Sequence, residues 1–141
     1  MADGAMTRVE REAFLADVHV GVLSVDDPGR GPFSVPIWYL VDDGDVIMGM
    51  SGLSKKARLL RDAGRASLVV QTEEPPYKFA SIEGPVVIED GHRDDLEMAV
   101  RYLGPEIGAW YAENNPSTEE SVVVRLTPEH WNTTDFAKLM G

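Results

Sequence analysis

Residues 33–50 have the sequence FSVPIWYLVDDGDVIMGM. Apolar and β-branched residues dominate Phe33 to Val41 and Val46 to Met50, which predicts two strands. Between them, Asp42 to Asp45 contains an Asp-Gly pair, which tolerates the positive φ angles of tight hairpin turns. The stretch therefore predicts an antiparallel hairpin.

The segments on both sides of this hairpin add further short strands and a few helices. Thr7 and Glu10 have the spacing of a capping box. Ser54 suits a helix N-cap and Gly64 a helix stop. Gly84-Pro85 indicates a bulge or bend inside a strand. The predicted helices are Arg8 to Val18, Ser54 to Ala63, Arg93 to Leu103 and Glu106 to Glu113, and the other strands are His19 to Val25, Ala66 to Thr72, Phe79 to Glu89 and Glu120 to Leu126, before a closing segment at His130 to Phe136.

These elements predict a mainly β protein with peripheral helices. About six short strands in hairpin order are typical of an antiparallel barrel, whereas a doubly wound parallel sheet would need regular strand–helix alternation. No linker or repeat divides the chain, so residues 1–141 are predicted to form one domain, with 1–7 as a loose tail.

Composition limits the possible functions. The formal net charge is −11, which disfavours binding to nucleic acid or acidic membranes. The chain has no cysteine, which excludes disulfides and thiolate metal sites and fits a cytoplasmic location. His19, His92 and His130 lack metal-ligand spacing, so we expect no metal site. No apolar run is long enough to predict a membrane span.

The strongest chemical signal is the segment MSGLSKKARLL at residues 50–60. It predicts a strand, a turn of small residues and the start of a helix, where free N–H groups and the helix dipole favour an anion. Ser51 and Ser54 add hydroxyls, and Lys55 and Lys56 add positive charge. These residues indicate a phosphate site, although a solvated basic helix face would have the same pattern.

The order of the segments resembles the pyridoxamine 5′-phosphate oxidase-like, FMN-binding split β-barrel family, which includes enzymes that use the deazaflavin coenzyme F420. The resemblance covers roughly residues 14 to 138. The matching pieces are Val22-Leu23-Ser24-Val25, Pro36-Ile37-Trp38, Ser54-Lys55-Lys56-Ala57-Arg58-Leu59-Leu60, Ser67-Leu68-Val69-Val70, Ser81-Ile82-Glu83-Gly84-Pro85-Val86 and Trp131-Asn132-Thr133-Thr134-Asp135-Phe136-Ala137-Lys138.

The resemblance implies a six-stranded split barrel that binds F420 or FMN between the two subunits of a homodimer. It places the cofactor phosphate at the start of the Ser54 helix and the cofactor ring between that turn and the strand Ser34 to Trp38. Trp131 and Lys138 would reach the neighbour's cofactor. The implied cofactor-binding residues are Pro36, Trp38, Met50, Ser51, Ser54, Lys55, Lys56, Arg58, Trp131 and Lys138.

The implied activity is hydride transfer between this cofactor and a small conjugated substrate, with no catalytic acid or base identified. The basic residues that pyridoxamine-phosphate oxidase carries at the ends of the strand Ser34 to Tyr39 are missing, and Phe79 replaces a glutamine. The resemblance is therefore closer to the branch that uses deazaflavin or FMN for other substrates. The alternative is a non-catalytic flavin or haem carrier with the same fold.

Overall fold

The computed structural model describes residues 3–93 and 95–140. Within them, eight strands and three helices are followed by a short 3₁₀ helix, Phe136–Leu139. The helices are α1 Arg8–Ala16, α2 Lys55–Ala63 and α3 Asp95–Asn114. The strands are β1 Gly21–Val25, β2 Phe33–Ile37, β3 Leu40–Asp42, β4 Asp45–Ser51, β5 Arg65–Gln71, β6 Lys78–Asp90, β7 Ser121–Leu126 and β8 His130–Asp135.

The hairpin predicted from residues 33–50 is present, but its first strand is interrupted. Asp43 and Gly44 have φ angles of 51° and 83° and form the tight turn between β3 and β4. At Trp38 and Tyr39 the chain leaves the β1 pairing of β2 and joins β4 as β3. The strand predicted over Phe33 to Val41 is thus two strands, because Tyr39 N–H donates to the Tyr102 hydroxyl (3.0 Å) rather than to a neighbouring strand.

The strands form a curled antiparallel sheet in the order β2-β1-β5-β6-β7-β4-β3, with β8 pairing with β6. The first part of β6 pairs with β5 and β8, and the second part pairs with β7. The mainly antiparallel β architecture was predicted correctly. Eight strands replace the expected six because the first hairpin strand is split and the closing segment also pairs.

The Gly84-Pro85 pair, predicted to mark a bulge or a bend, lies where β6 changes partners. The register with β5 continues through both residues, so no bulge separates these two strands. A Cβ on Gly84 would lie 1.8 Å from the Thr127 carbonyl oxygen, so this site has room only for glycine. The turn after β7 crosses β6 here, with Thr127 N–H donating to the Pro85 carbonyl (3.1 Å) and Glu129 N–H to the Glu83 carbonyl (2.8 Å).

The core lies inside the curled sheet and is closed by α1 and α2. Val46, Met48 and Met50 alternate inward along β4, and the other strands contribute in the same way. Helix α2 has the predicted ends: the Ser54 hydroxyl accepts from Ala57 N–H (3.2 Å), and Gly64 is left-handed with φ of 70°. Its buried side chains are Ala57, Leu59 and Leu60.

Helix α1 has the predicted capping box but ends at Ala16, two residues earlier than expected. The residues before it differ from the predicted loose tail. Asp135 N–H donates to the Gly4 carbonyl (2.7 Å), and Met6 is buried and donates its N–H to the Thr133 hydroxyl (3.0 Å). Residues 1 and 2 of that predicted tail lie outside the described residues.

Helix α3 contains the predicted break. Gly104 has φ of 84° and ψ of 170°, so the chain changes direction there before Pro105 starts the second segment. A Cβ on Gly108 would lie 2.6 Å from Val100 Cα, which shows that the two segments pack tightly. The first segment begins at Asp95 rather than Arg93, and the predicted helix residue Asp94 lies outside the described residues. Among the described helices, none combines the length and apolar character needed to span a bilayer.

Candidate functional site

A cavity of about 570 Å³ lies between α3 and the side of β4 and β7 that faces away from the core. Its floor is formed by Ile47, Gly49 and Ser51 of β4 and by Val123 and Ser121 of β7, with Gly49 opposite Val123 and Ser51 opposite Ser121. Cavities of roughly 300–1,000 Å³ are typical of small-molecule and cofactor sites. The cavity therefore has the size of a ligand site.

Gly49 leaves the centre of this floor flat. It is exposed, and a Cβ placed on it would have no atom within 4 Å. No positive φ requires glycine here, and glycine weakens a strand interior. A glycine at such a point is typical of a site where a ligand approaches the backbone.

One wall of the cavity is aromatic. Trp38 stacks on Tyr102 with a ring separation of 4.9 Å and an interplanar angle of 7°, and Tyr111 lies tilted at 5.4 Å from Trp38. Trp38 and Tyr111 line the cavity, whereas Tyr102 lies behind Trp38. Pro36 extends this wall, and Met98 on α3 adds an apolar surface.

The Tyr102 hydroxyl holds this wall to the barrel. It accepts the Tyr39 N–H (3.0 Å), and the carbonyls of His19 (2.7 Å) and Tyr39 (2.9 Å) are both within reach of its proton. Tyr39, the neighbour of Trp38 in sequence, is fully buried, and burial raises the pKa of its phenol well above the usual value.

A polar group lies at one end of the cavity. Asp95, at the start of α3, accepts the Ser117 hydroxyl (2.6 Å) on one carboxylate oxygen and the Ser117 N–H (3.0 Å) on the other. His92 Nδ1 lies 4.0 Å from the Asp95 carboxylate. All three residues line the cavity. These bonds fix the orientation of the carboxylate and tie the segment after α3 to the start of the helix.

The cation that lines the cavity, Arg93, is already paired. It binds Asp42 (3.0 Å), which also binds Arg125 (3.2 Å), and Arg125 binds Asp45 (3.0 Å). Hydrogen bonds from Arg93 and Arg125 lower the pKa of Asp42, and those to Asp45 and Asp42 raise the pKa of Arg125. Two cations and two anions thus form a neutral network beside the cavity.

The turn from β4 to α2 begins at the cavity. Ser51 lines it, and the Ser54 hydroxyl donates to the Ser51 carbonyl (2.7 Å) while it caps α2. The Arg61 guanidinium holds the turn by donating to the Gly52 carbonyl (2.8 Å). The turn is therefore fixed on both sides, with the start of α2 three residues from the cavity floor.

The basic residues of α2 have different surroundings. Lys55 pairs with Asp27 (3.2 Å) and lies 5.1 Å from the centre of the Phe33 ring. Within the described residues, Lys56 and Arg58 form no ion pair. The sequence does not predict Asp27 as a neighbour of Lys55, because the loop after β1 approaches α2 only in the folded chain.

The predicted cofactor residues therefore divide into three groups. Pro36, Trp38, Met50 and Ser51 line the cavity. Ser54, Lys55, Lys56 and Arg58 belong to the adjoining helix start and do not line it. Trp131 and Lys138 make contacts within their own chain: the Arg11 guanidinium lies 4.6 Å from the centre of the Trp131 ring, and Lys138 binds Glu10 (2.6 Å). Their approach to a neighbour's cofactor stays a prediction.

The α3 side of the cavity contains no residue that was predicted to bind the cofactor. Tyr111 lines the cavity, whereas Trp110 is 62 % exposed and does not. No sequence signal indicated a site at Asp95 and Ser117, because their contact joins the start of α3 to the segment that follows its end. Within the described part of the chain, no three His, Asp or Glu side chains are arranged to hold a metal.

Fold and cavity together define a split β-barrel with a ligand-sized site on the outer side of its sheet. The family model for pyridoxamine 5′-phosphate oxidase matches residues 8–135. The chain belongs to this family, as its segment order indicated. No curated protein matches the sequence.

Solved structures support the same fold. A conserved hypothetical protein from Mycobacterium tuberculosis is 25 % identical with a TM-score of 0.83, and the match covers 100 % of this chain and 92 % of that one. An F420 reductase is 18 % identical with a TM-score of 0.68, covering 86 % of this chain and 94 % of the other. An FAD-binding protein from Mesorhizobium loti is 17 % identical with a TM-score of 0.66, covering 91 % of this chain and 94 % of that protein.

Proposed function

We propose that this protein binds a flavin-type cofactor, F420 or FMN, and is an oxidoreductase that transfers hydride to or from a small conjugated substrate. One observation carries the proposal. A ligand-sized cavity with a flat glycine floor at Gly49 adjoins the start of a helix that carries the positive charges of Lys56 and Arg58.

The cavity fits a flat ring system. Gly49 allows a ring to lie against the backbone of β4, and Pro36 and Trp38 border the same space. Aromatic side chains favour offset stacking on other rings. An F420 reductase and an FAD-binding protein share this fold, which supports a flavin-type group as the ligand.

The start of α2 fits a phosphate. The first N–H groups of a helix have no partner within the helix, and they carry the positive end of its dipole. Lys55 and Lys56 occupy the first two helical positions, where positive charge opposes that dipole. A bound phosphate would offset this repulsion, and Lys55 would then exchange its bond with Asp27 for one with the phosphate.

A bound flavin or deazaflavin supplies the hydride chemistry. The residues of the chain contribute binding, orientation and exclusion of water. Trp38, Met98 and Tyr111 contribute aromatic and apolar surface to the cavity that contains Gly49. Tyr102 restrains Trp38 by stacking on it. We also propose that the protein works as a homodimer, as its family resemblance implies.

The test is titration of the purified protein with FMN and with F420. Quenching of the cofactor fluorescence measures the binding. We expect micromolar or tighter binding of one of them. Replacing both lysines, Lys55→Ala with Lys56→Ala, should weaken that binding, because each charge-assisted bond contributes about 1.5–3 kcal/mol, or roughly 10- to 100-fold in affinity. Light scattering of the same samples gives the oligomeric mass.

The matched control is Arg8→Ala, which removes an exposed cation of α1 that pairs with Glu12. Its affinity should equal that of the unmodified protein. Binding of neither cofactor would refute the proposal, and equal affinity in the double lysine variant would remove the phosphate assignment. Binding without turnover of any conjugated substrate would favour the carrier function, and a haem Soret band on titration with haemin would favour a haem carrier.

A further inference from the structure

We infer that Asp95 is the residue that selects the substrate, and that the cavity accepts a planar substrate with a cationic or hydrogen-bond-donating head group and rejects an anionic one. This inference rests on the proposed function, because it assigns the space next to the cofactor ring to a substrate. It differs from what the family name suggests, since pyridoxamine 5′-phosphate is a phosphate ester.

The charges around the cavity exclude an anion. Among the described lining residues, Arg93 is the single lysine or arginine, and its guanidinium is bound to Asp42. Arg125 and Asp45 complete a network with no net charge. An anionic head group would have to compete with Asp42 for Arg93 while it approached the carboxylate of Asp95.

Asp95 retains free acceptor capacity toward the cavity. An ionised carboxylate has about four lone-pair sites. Ser117 uses one site on each oxygen, through its hydroxyl (2.6 Å) and its N–H (3.0 Å). Within the described residues, no lysine or arginine lies within ion-pair distance of Asp95, and the His92 ring is 4.0 Å away. The carboxylate is thus held in one orientation without being neutralised by a strong cation.

The remainder of the cavity suits a flat apolar body. Trp38 lies before β3, and Met98 and Tyr111 lie on α3, while the Asp95 carboxylate lies at the end near Ser117. A ligand that places its ring against these side chains can reach Asp95 with its head group. Polar groups fixed at one end of an apolar pocket are the usual source of specificity in such sites.

The experiment compares three ligands that share a naphthalene ring system and differ in the head group: 2-naphthylmethylammonium, 2-naphthalenemethanol and 2-naphthoate. Binding to the protein without cofactor is measured at pH 7.5 by calorimetry, and methyl NMR of labelled methionines locates it. We expect the ammonium and the alcohol to shift the Met98 methyl signal and the carboxylate to bind about tenfold more weakly or worse. Asp95→Asn should lower the ratio of ammonium to carboxylate affinity about tenfold or more.

The matched control is Glu74→Gln, which removes a carboxylate from the exposed loop before β6 and outside the cavity. It removes the same single negative charge as Asp95→Asn but outside the cavity, and its affinity ratio should be close to that of the unmodified protein. Equal affinity for the ammonium and the carboxylate in the unmodified protein would overturn the inference even if Asp95→Asn fails to fold.

Three results would overturn the inference: carboxylate affinity equal to that of the ammonium, an unchanged ratio in Asp95→Asn, or no shift of the Met98 signal with any ligand. None of these readouts needs the cofactor. Failure of FMN and F420 to bind would refute the proposed function, whereas failure of these probes would refute the substrate assignment alone.

Discussion

Gly49 is the residue with the most direct effect on the cavity, because a side chain there would project into its open space. We expect Gly49→Val to abolish cofactor binding while leaving the thermal midpoint unchanged or raised, since valine favours strands and meets no neighbouring atom. Calorimetric titration with the cofactor and thermal unfolding give the two readouts.

Gly31→Val is the control for Gly49. Gly31 is also exposed, and a Cβ added to it would have no atom within 4 Å, but it lies in the loop between β1 and β2 and outside the cavity. Its cofactor affinity should equal that of the unmodified protein. Normal binding by Gly49→Val would show that the ring does not lie on β4.

Single residues at the ends of elements were the most predictable part of the molecule. Ser54, Gly64 and the Asp43-Gly44 turn act through contacts a few residues away, so their sequence signals are local. The break at Tyr39 was not predictable, because Trp38 and Tyr39 continue the apolar strand pattern. The Tyr39 N–H donates to the Tyr102 hydroxyl, which lies 63 residues away in sequence.

At the scale of elements, β6 depends on a glycine at its change of partner. Gly84→Ala would bring a methyl group against the Thr127 carbonyl, at a distance that no backbone accepts without moving. We expect the free energy of unfolding to fall by about 1–3 kcal/mol or more, as for other overpacked sites. Urea unfolding measures the change.

A suitable comparison for that substitution is Gly31→Ala, where a methyl group has open space. Its unfolding midpoint should stay within experimental error of the unmodified protein. If Gly84→Ala were equally stable, the turn at Thr127 would have to be free to move away from β6.

The elements that surround the cavity were only partly foreseeable. The strand that carries Gly49 and Ser51 and the following helix were predicted together, because they are consecutive in sequence. The opposite wall requires α3 to reverse at Gly104 and Ser117 to bind Asp95, 22 residues earlier. Periodicity predicts that these segments are helical, but it does not predict which sheet face they cover.

At the scale of the whole molecule, surface carboxylates make the stability of the fold depend on pH. Hydrogen bonds from Lys138 and then Thr7 lower the pKa of Glu10 from 4.5 to about 2. Arg93 and Arg125 lower the pKa of Asp42, and Arg65 lowers that of Glu129. Because each pKa is lower in the folded protein, the stabilisation is present above the unfolded values and is lost as the pH falls through the folded ones.

We therefore expect the thermal midpoint to fall as the pH is lowered from about 4.5 to about 2, and Glu10→Gln to reduce that dependence. Glu10 is exposed, so the effect should be small and weaker in high salt. Thermal scans across this pH range measure it, with Glu73→Gln in the loop before β6 as the control. Identical pH profiles for Glu10→Gln and the unmodified protein would refute a role for the Lys138 contact.

The shared strand β6 also constrains the order in which the chain can assemble. The strand pairs with β5, which precedes it, and with β7 and β8, which follow it, while β7 must pair back to β4 across both α2 and α3. Such non-local pairing slows folding, since long loops must close before their contacts form. The floor that contains Gly49 is complete only when β7 has paired with β4, so the ligand site cannot form before this non-local contact.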